Sequence, residues 1–271
     1  MTDVVALRPL SPSRPAANAP RPDTRPPGVA ALWFVRTLVC APFLCMVPEL
    51  LAAATGRVGA TAALSVSTAD VLGSASLLCF VLMLAVTPVH TVTGWTWHLP
   101  LRRDLGLAMF ATALLDLVLA ATTTGATFEG GVPGRIAGRS FLLAGTLATV
   151  LLVPLAITAN RRSLRRLGSH WRRLHRLVYV VWGLVLVHLL LLFDLGGPAR
   201  DALLMSAPLA LLRIPATARW FQTTRTAGHA RVLRAVVVVL LVAVFAAGFV
   251  PAVQRFVTAG RGALALRPEG N

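Results

Sequence analysis

Six stretches near 31–54, 69–87, 105–123, 138–158, 175–193 and 233–253 are almost entirely apolar. Each is close to the roughly 20 residues that a helix needs to cross a hydrocarbon layer. That layer offers no water to backbone N–H and C=O groups, so a segment that crosses it must satisfy them internally, as a helix does. A weaker stretch at 202–219 is interrupted by Pro208, Arg213 and Pro215. The chain is 56% hydrophobic and 13% charged, with mean hydropathy +0.73. A soluble domain is excluded, and the fold class that follows is all-α: a polytopic transmembrane helix bundle of about seven spans.

The charge pattern orients the bundle. A formal net charge of +16 would suit a nucleic-acid partner only on a soluble polar face, whereas here the arginines lie between apolar runs, so no nucleic acid is expected. Positive charge gathers in the amino-terminal tail, in 88–104, in 159–174 (Arg161, Arg162, Arg165, Arg166, Arg172, Arg173) and in 213–234. The alternating connections near 55–68, 124–137 and 194–201 carry little. The positive-inside rule then requires the weak 202–219 segment to be a span, giving a multi-pass protein of the inner (plasma) membrane with a cytoplasmic amino terminus. Residues 1–29, rich in Pro and Arg, read as a disordered cytoplasmic tail, 30–254 as the bilayer-embedded bundle and 255–271 as an extracytoplasmic tail. Cys40, Cys45 and Cys79 all fall in apolar runs and form no zinc or disulfide pattern.

Ionisable side chains inside spans cost at least a few kcal/mol to bury in hydrocarbon and therefore mark candidate sites. Three stand out: Asp116, His175 and His188. The two histidines are 13 residues apart, about 20 Å along a helix and about 140° apart around it, so a shared face needs a local adjustment of the helix. Taken singly, His188 also fits a core histidine bonded to a neighbouring helix. His175 also fits an interfacial anchor beside Trp171 and Tyr179.

The run Leu152-Val153-Pro154-Leu155-Ala156-Ile157-Thr158, then Arg165-Arg166-Leu167-Gly168, Trp171, Leu174-His175-Arg176-Leu177-Val178-Tyr179 and His188 resembles a known family. It is similar to the haem-binding membrane subunits of bacterial methionine-sulfoxide reductases, the MsrQ type, within the ferric-reductase-like transmembrane group. Thr87-Pro88, Thr93-Gly94 and Arg102-Arg103-Asp104-Leu105-Gly106-Leu107 extend the likeness, which covers roughly 70–193. The resemblance implies b-type haem held between histidines of the third and fifth spans, with His175 and His188 matching the fifth-span ligands of the iron. It further implies electrons arriving from a cytoplasmic flavin such as FMN, or from a quinol, and leaving to an extracytoplasmic acceptor.

The third span departs from that pattern. Where the family carries histidine, this chain has Asp116, and the earlier ligand position is Arg102, which cannot bind iron and could at most pair with a haem propionate. Asp116 and His188 should lie at similar depth, which predicts a hydrogen bond between them that either replaces the outer haem or orients a histidine still bound to it. His90, His98, His170 and His229 are further candidates to complete an inner site with His175.

Two readings follow. In the first, the chain is a haem b electron-transfer component, a possible oxidoreductase membrane subunit. It would work with a separate donor, because no glycine-rich nucleotide fingerprint accompanies the helices, and with an extracytoplasmic acceptor protein. In the second, it is a haem-free, non-redox membrane scaffold or partner protein. A transporter is disfavoured by the lack of inverted repeats.

Overall fold

The computed structural model describes residues 61–122, 136, 138–224 and 230–265. The expected tail and first span, Cys40, Cys45 and His229 lie outside them. The elements are α1 (Thr61–Thr93), α2 (Leu101–Thr122), α3 (Ser140–Ile157), α4 (Arg161–Leu167), α5 (Ser169–His175), α6 (Leu177–Phe193), α7 (Gly197–Leu211), α8 (Pro215–Thr223) and α9 (Arg231–Ala265). No strand occurs among the described residues.

By length and composition four segments among the described residues qualify as membrane spans: Asp70–Thr93, Ser140–Ile157, Ser169–Phe193 and Arg231–Ala259. The weak segment is not one straight span: α7 and α8 meet at a 63° bend. Pro215 opens α8, and a proline there cannot donate the N–H that would continue α7. The α2 helix covers the expected third span. The last helix runs on to Ala265, past the boundary expected at residue 254.

The basic connections meet at one end of the bundle. Arg234, at the start of α9, donates to the carbonyl of Val92 near the end of α1. Arg213, in the α7–α8 bend, donates through Nη2 to the Leu84 carbonyl at 2.5 Å and lies 5.6 Å from the centre of the Tyr179 ring. The α3–α6 connection is an ordered elbow. Asn160 Oδ1 accepts from the Ser163 N–H at 2.8 Å and caps α4. Gly168 turns the chain at φ 49°, a conformation that costs glycine little. Trp171 Nε1 then donates to the Thr158 carbonyl at 3.0 Å, tying α5 back to the end of α3.

The core lies between α1, α2, α3, α6 and α7. Phe80, Val81, Val181 and Met205 are fully enclosed, and Phe80 meets Trp182 edge-on at 4.9 Å. α9 lies at the edge of the described bundle, with Ala252 in the core and Phe245 and Phe249 packed against it. Two features hold it to α7. A Cβ at Gly248 would collide with the Asp201 carbonyl, so only glycine permits this approach. Asp201 itself is wholly buried and accepts from Arg255 of α9, while Arg200 Nε stands 3.5 Å from its other oxygen.

Gly248→Leu should therefore drive α9 off α7 and destabilise the bundle by about 1–3 kcal/mol. Thermal unfolding in detergent should show the loss, and an unchanged midpoint would refute this account of the contact.

Candidate functional site

At the end of the bundle away from the basic connections, the four helices α1, α2, α3 and α6 surround a cavity of about 320 Å³. Its walls are mostly apolar, with Leu77, Phe80, Leu117, Leu152, Val185 and Leu189 among them. Among the described residues the ionisable side chains facing it are Asp70, Asp116 and His188. A large, mainly apolar cavity with a few convergent polar groups is the usual form of a ligand or cofactor site.

His188 is fixed by α3. Its Nδ1 lies 2.7 Å from the Phe141 carbonyl, which can only accept, so Nδ1 carries a proton and, in the neutral ring, Nε2 is the nitrogen with the lone pair. Room for the ring comes from Gly145, one turn further along α3, where a Cβ would stand 2.9 Å from Nδ1. The glycine thus clears the approach to the carbonyl that holds the ring. Phe141 adds a tilted aromatic contact at 6.0 Å.

Asp116 belongs to the other wall. Its Oδ2 would be 3.8 Å from a Cβ built on Gly73, one turn beyond Asp70 on α1. Asp116 and His188 share the cavity, as similar depth predicted, but the expected hydrogen bond between them is not made among the described residues. The Phe141 carbonyl has taken the imidazole N–H instead.

His175 does not face this cavity. It sits half-buried at the basic end, stacked on Trp171 with ring centres 3.9 Å apart and with Nδ1 3.1 Å from the Trp171 carbonyl. Arg102 is close enough to act on it electrostatically. The helix tightens just after His175, where the Arg176 N–H reaches the Arg173 carbonyl and the Tyr179 N–H reaches that of Arg176. This adjustment does not bring the two histidines to one wall. They stay at opposite ends of the span.

The other described histidines are occupied in local structure or exposed. His90 Nδ1 bonds the Trp95 carbonyl at 2.6 Å, His98 is buried with Nε2 on the Val86 carbonyl at 3.0 Å, and His170 is exposed. No group of three or more His, Cys, Asp or Glu side chains that could hold a metal ion occurs among the described residues.

Sequence reasoning missed two parts of this picture. The Gly145–His188 contact had a faint signal in the small residues Gly145, Ala148 and Thr149 along one face of α3. The Asp201–Arg255 pair had none, because its members are 54 residues apart and Arg255 fell in a presumed tail.

Comparison with known proteins gives a consistent picture. The family described as "Ferric reductase like transmembrane component" matches residues 72–186. The chain is 35% identical over 147 residues to the protein-methionine-sulfoxide reductase heme-binding subunit MsrQ of Rhizobium meliloti (strain 1021). That alignment covers 54% of this chain and 67% of the relative. No solved structure matches the chain.

Trp171→Phe keeps a ring for His175 to stack on and removes the N–H that closes the elbow. It should cost about 0.5–1.5 kcal/mol, read from denaturation in detergent, and Trp171→Leu should cost more. Equal stability in all three proteins would show that the elbow bond contributes nothing.

Proposed function

Because the chain belongs to the ferric-reductase-like transmembrane family, we propose that it is a haem b electron-transfer subunit of the inner membrane. Electrons would pass from a cytoplasmic donor to an acceptor protein outside. The observation that carries this reading is the placement of His188: Nδ1–H held by a backbone carbonyl, which leaves Nε2 as the ligating nitrogen of the neutral ring, in an apolar cavity between four helices. A metal-ligating histidine almost always donates its other ring N–H in this way, which fixes the tautomer and raises the basicity of the ligating nitrogen. The residues present therefore fit haem, with His188 as the residue that would hold its iron.

Haem bound there would supply reversible one-electron transfer. The rest is the work of the chain. Phe141 and Gly145 hold the His188 ring in place, and the apolar walls around Phe80 keep water from the site. At the basic end, His175 has its Nδ1 engaged by the Trp171 carbonyl and Nε2 left free, with Arg102 in reach as a partner for a carboxylate or phosphate. This end is the natural place for the donor side, whether a flavin such as FMN or a quinol delivers the electron. The concentration of arginine there supports a cytoplasmic orientation for that end, and hence for the amino terminus.

The second reading, a haem-free scaffold, draws support from Asp116, which gives the cavity a carboxylate where the family pattern has histidine. A reduced-minus-oxidised spectrum with pyridine haemochrome quantification separates the two. On the haem reading, the purified protein carries stoichiometric b-type haem, His188→Ala loses it, and Gly145→Val lowers occupancy by pushing the ring off the Phe141 carbonyl. Absence of haem from protein expressed with ample haem supply would leave the scaffold reading.

A further inference from the structure

We propose that the outer site binds haem iron through His188 alone, leaving the sixth position open to a small neutral ligand such as carbon monoxide, nitric oxide or dioxygen. This rests on the haem reading above. The argument starts from what the cavity offers besides His188. Its ionisable groups are Asp70 and Asp116, on the wall formed by α1 and α2. A carboxylate is a hard, weak-field oxygen donor, suited to Mg, Ca or Mn rather than to holding haem iron in the low-spin state. Neither acid does what a second imidazole would do.

No other described histidine reaches the cavity. His90 and His98 are held by carbonyls of the α1–α2 turn and the end of α1, His170 is exposed, and His175 is at the far end of the span. Cys79 does not line it. Among the described residues one soft donor does border it: Met109, on α2 two turns before Asp116. Met109 is only 3% exposed and packs within the central hydrophobic cluster, below the level of Asp116 and Gly73.

The apolar lining would stabilise a neutral ligand on the iron, while the carboxylates on the far wall discourage an anionic one. Carbon monoxide, the probe used below, would add by one coordinate bond from its carbon to ferrous iron, with no change of oxidation state and no proton moved. Asp116 is then the residue that sets coordination number, in place of being a ligand.

The test uses the full-length protein with its haem in detergent. We expect a high-spin ferric spectrum and, after dithionite reduction, stoichiometric binding of carbon monoxide seen as a shift of the Soret band. Asp116→His should supply the missing imidazole, convert the spectrum to six-coordinate low-spin and weaken carbon monoxide binding on the order of tenfold or more. Met109→Leu should leave both spectra unchanged. A wild-type protein that is low-spin and refuses carbon monoxide overturns the proposal, and conversion of that protein to high-spin by Met109→Leu would identify the sixth ligand as the thioether. A wild-type protein with no haem overturns the haem reading itself, a result distinct from low-spin haem.

Discussion

The arrangement of the half of this bundle away from the basic connections depends on one hydrogen bond, from His188 to the Phe141 carbonyl. In a bilayer a buried imidazole N–H without a partner is costly, and here its partner is a carbonyl already inside a helix. The ring can reach it only because the next residue on that face of α3, one turn along, is glycine. The backbone contact and the neutral-ring tautomer that it selects are therefore consequences of a single close approach between α3 and α6. With those two helices joined, α1 and α2 complete the enclosure, and the cavity is what remains between the two pairs.

A second polar contact plays the corresponding part at the periphery. α9 packs Phe245, Phe249 and Ala252 against the core, but in lipid apolar contact alone gives two helices little reason to associate. Charge pairing of Asp201 with Arg255, together with close packing at Gly248, supplies the specificity that hydrophobicity cannot. A wholly buried aspartate is costly if left alone, so the pair also fixes which face of α9 docks.

Much of this fold was legible in the sequence, for a physical reason. Lipid forces helices on any long apolar run, and arginine between runs marks one side, so the four spans at 70–93, 140–157, 169–193 and 231–259 and the meeting of basic connections at one end followed from composition alone. The seventh candidate was read as a straight span although Pro208 and Pro215 were in view. The bend falls at Pro215, while Pro208 is absorbed within α7, and sequence gives no means of telling which proline will break a helix that neighbours support. At the site, depth along the helices put Asp116 and His188 together correctly. Their expected hydrogen bond failed because a backbone carbonyl, invisible as a residue type, competes for the same N–H. The Asp201–Arg255 pair was hidden by sequence distance, which carries no information about which helices will be neighbours.

His175 and His188 mark the two ends of one span, about 20 Å apart along its axis. On the proposed direction of flow, an electron travelling between those levels crosses roughly two-thirds of the hydrocarbon layer. Its charge moves from the negative to the positive side of an energised membrane. At about 2.3 kcal/mol per elementary charge per 100 mV across the full layer, that passage gains about 1.5 kcal/mol. The membrane voltage would then help to drive reducing equivalents outward, and each electron delivered would draw a little on the cell's electrical store.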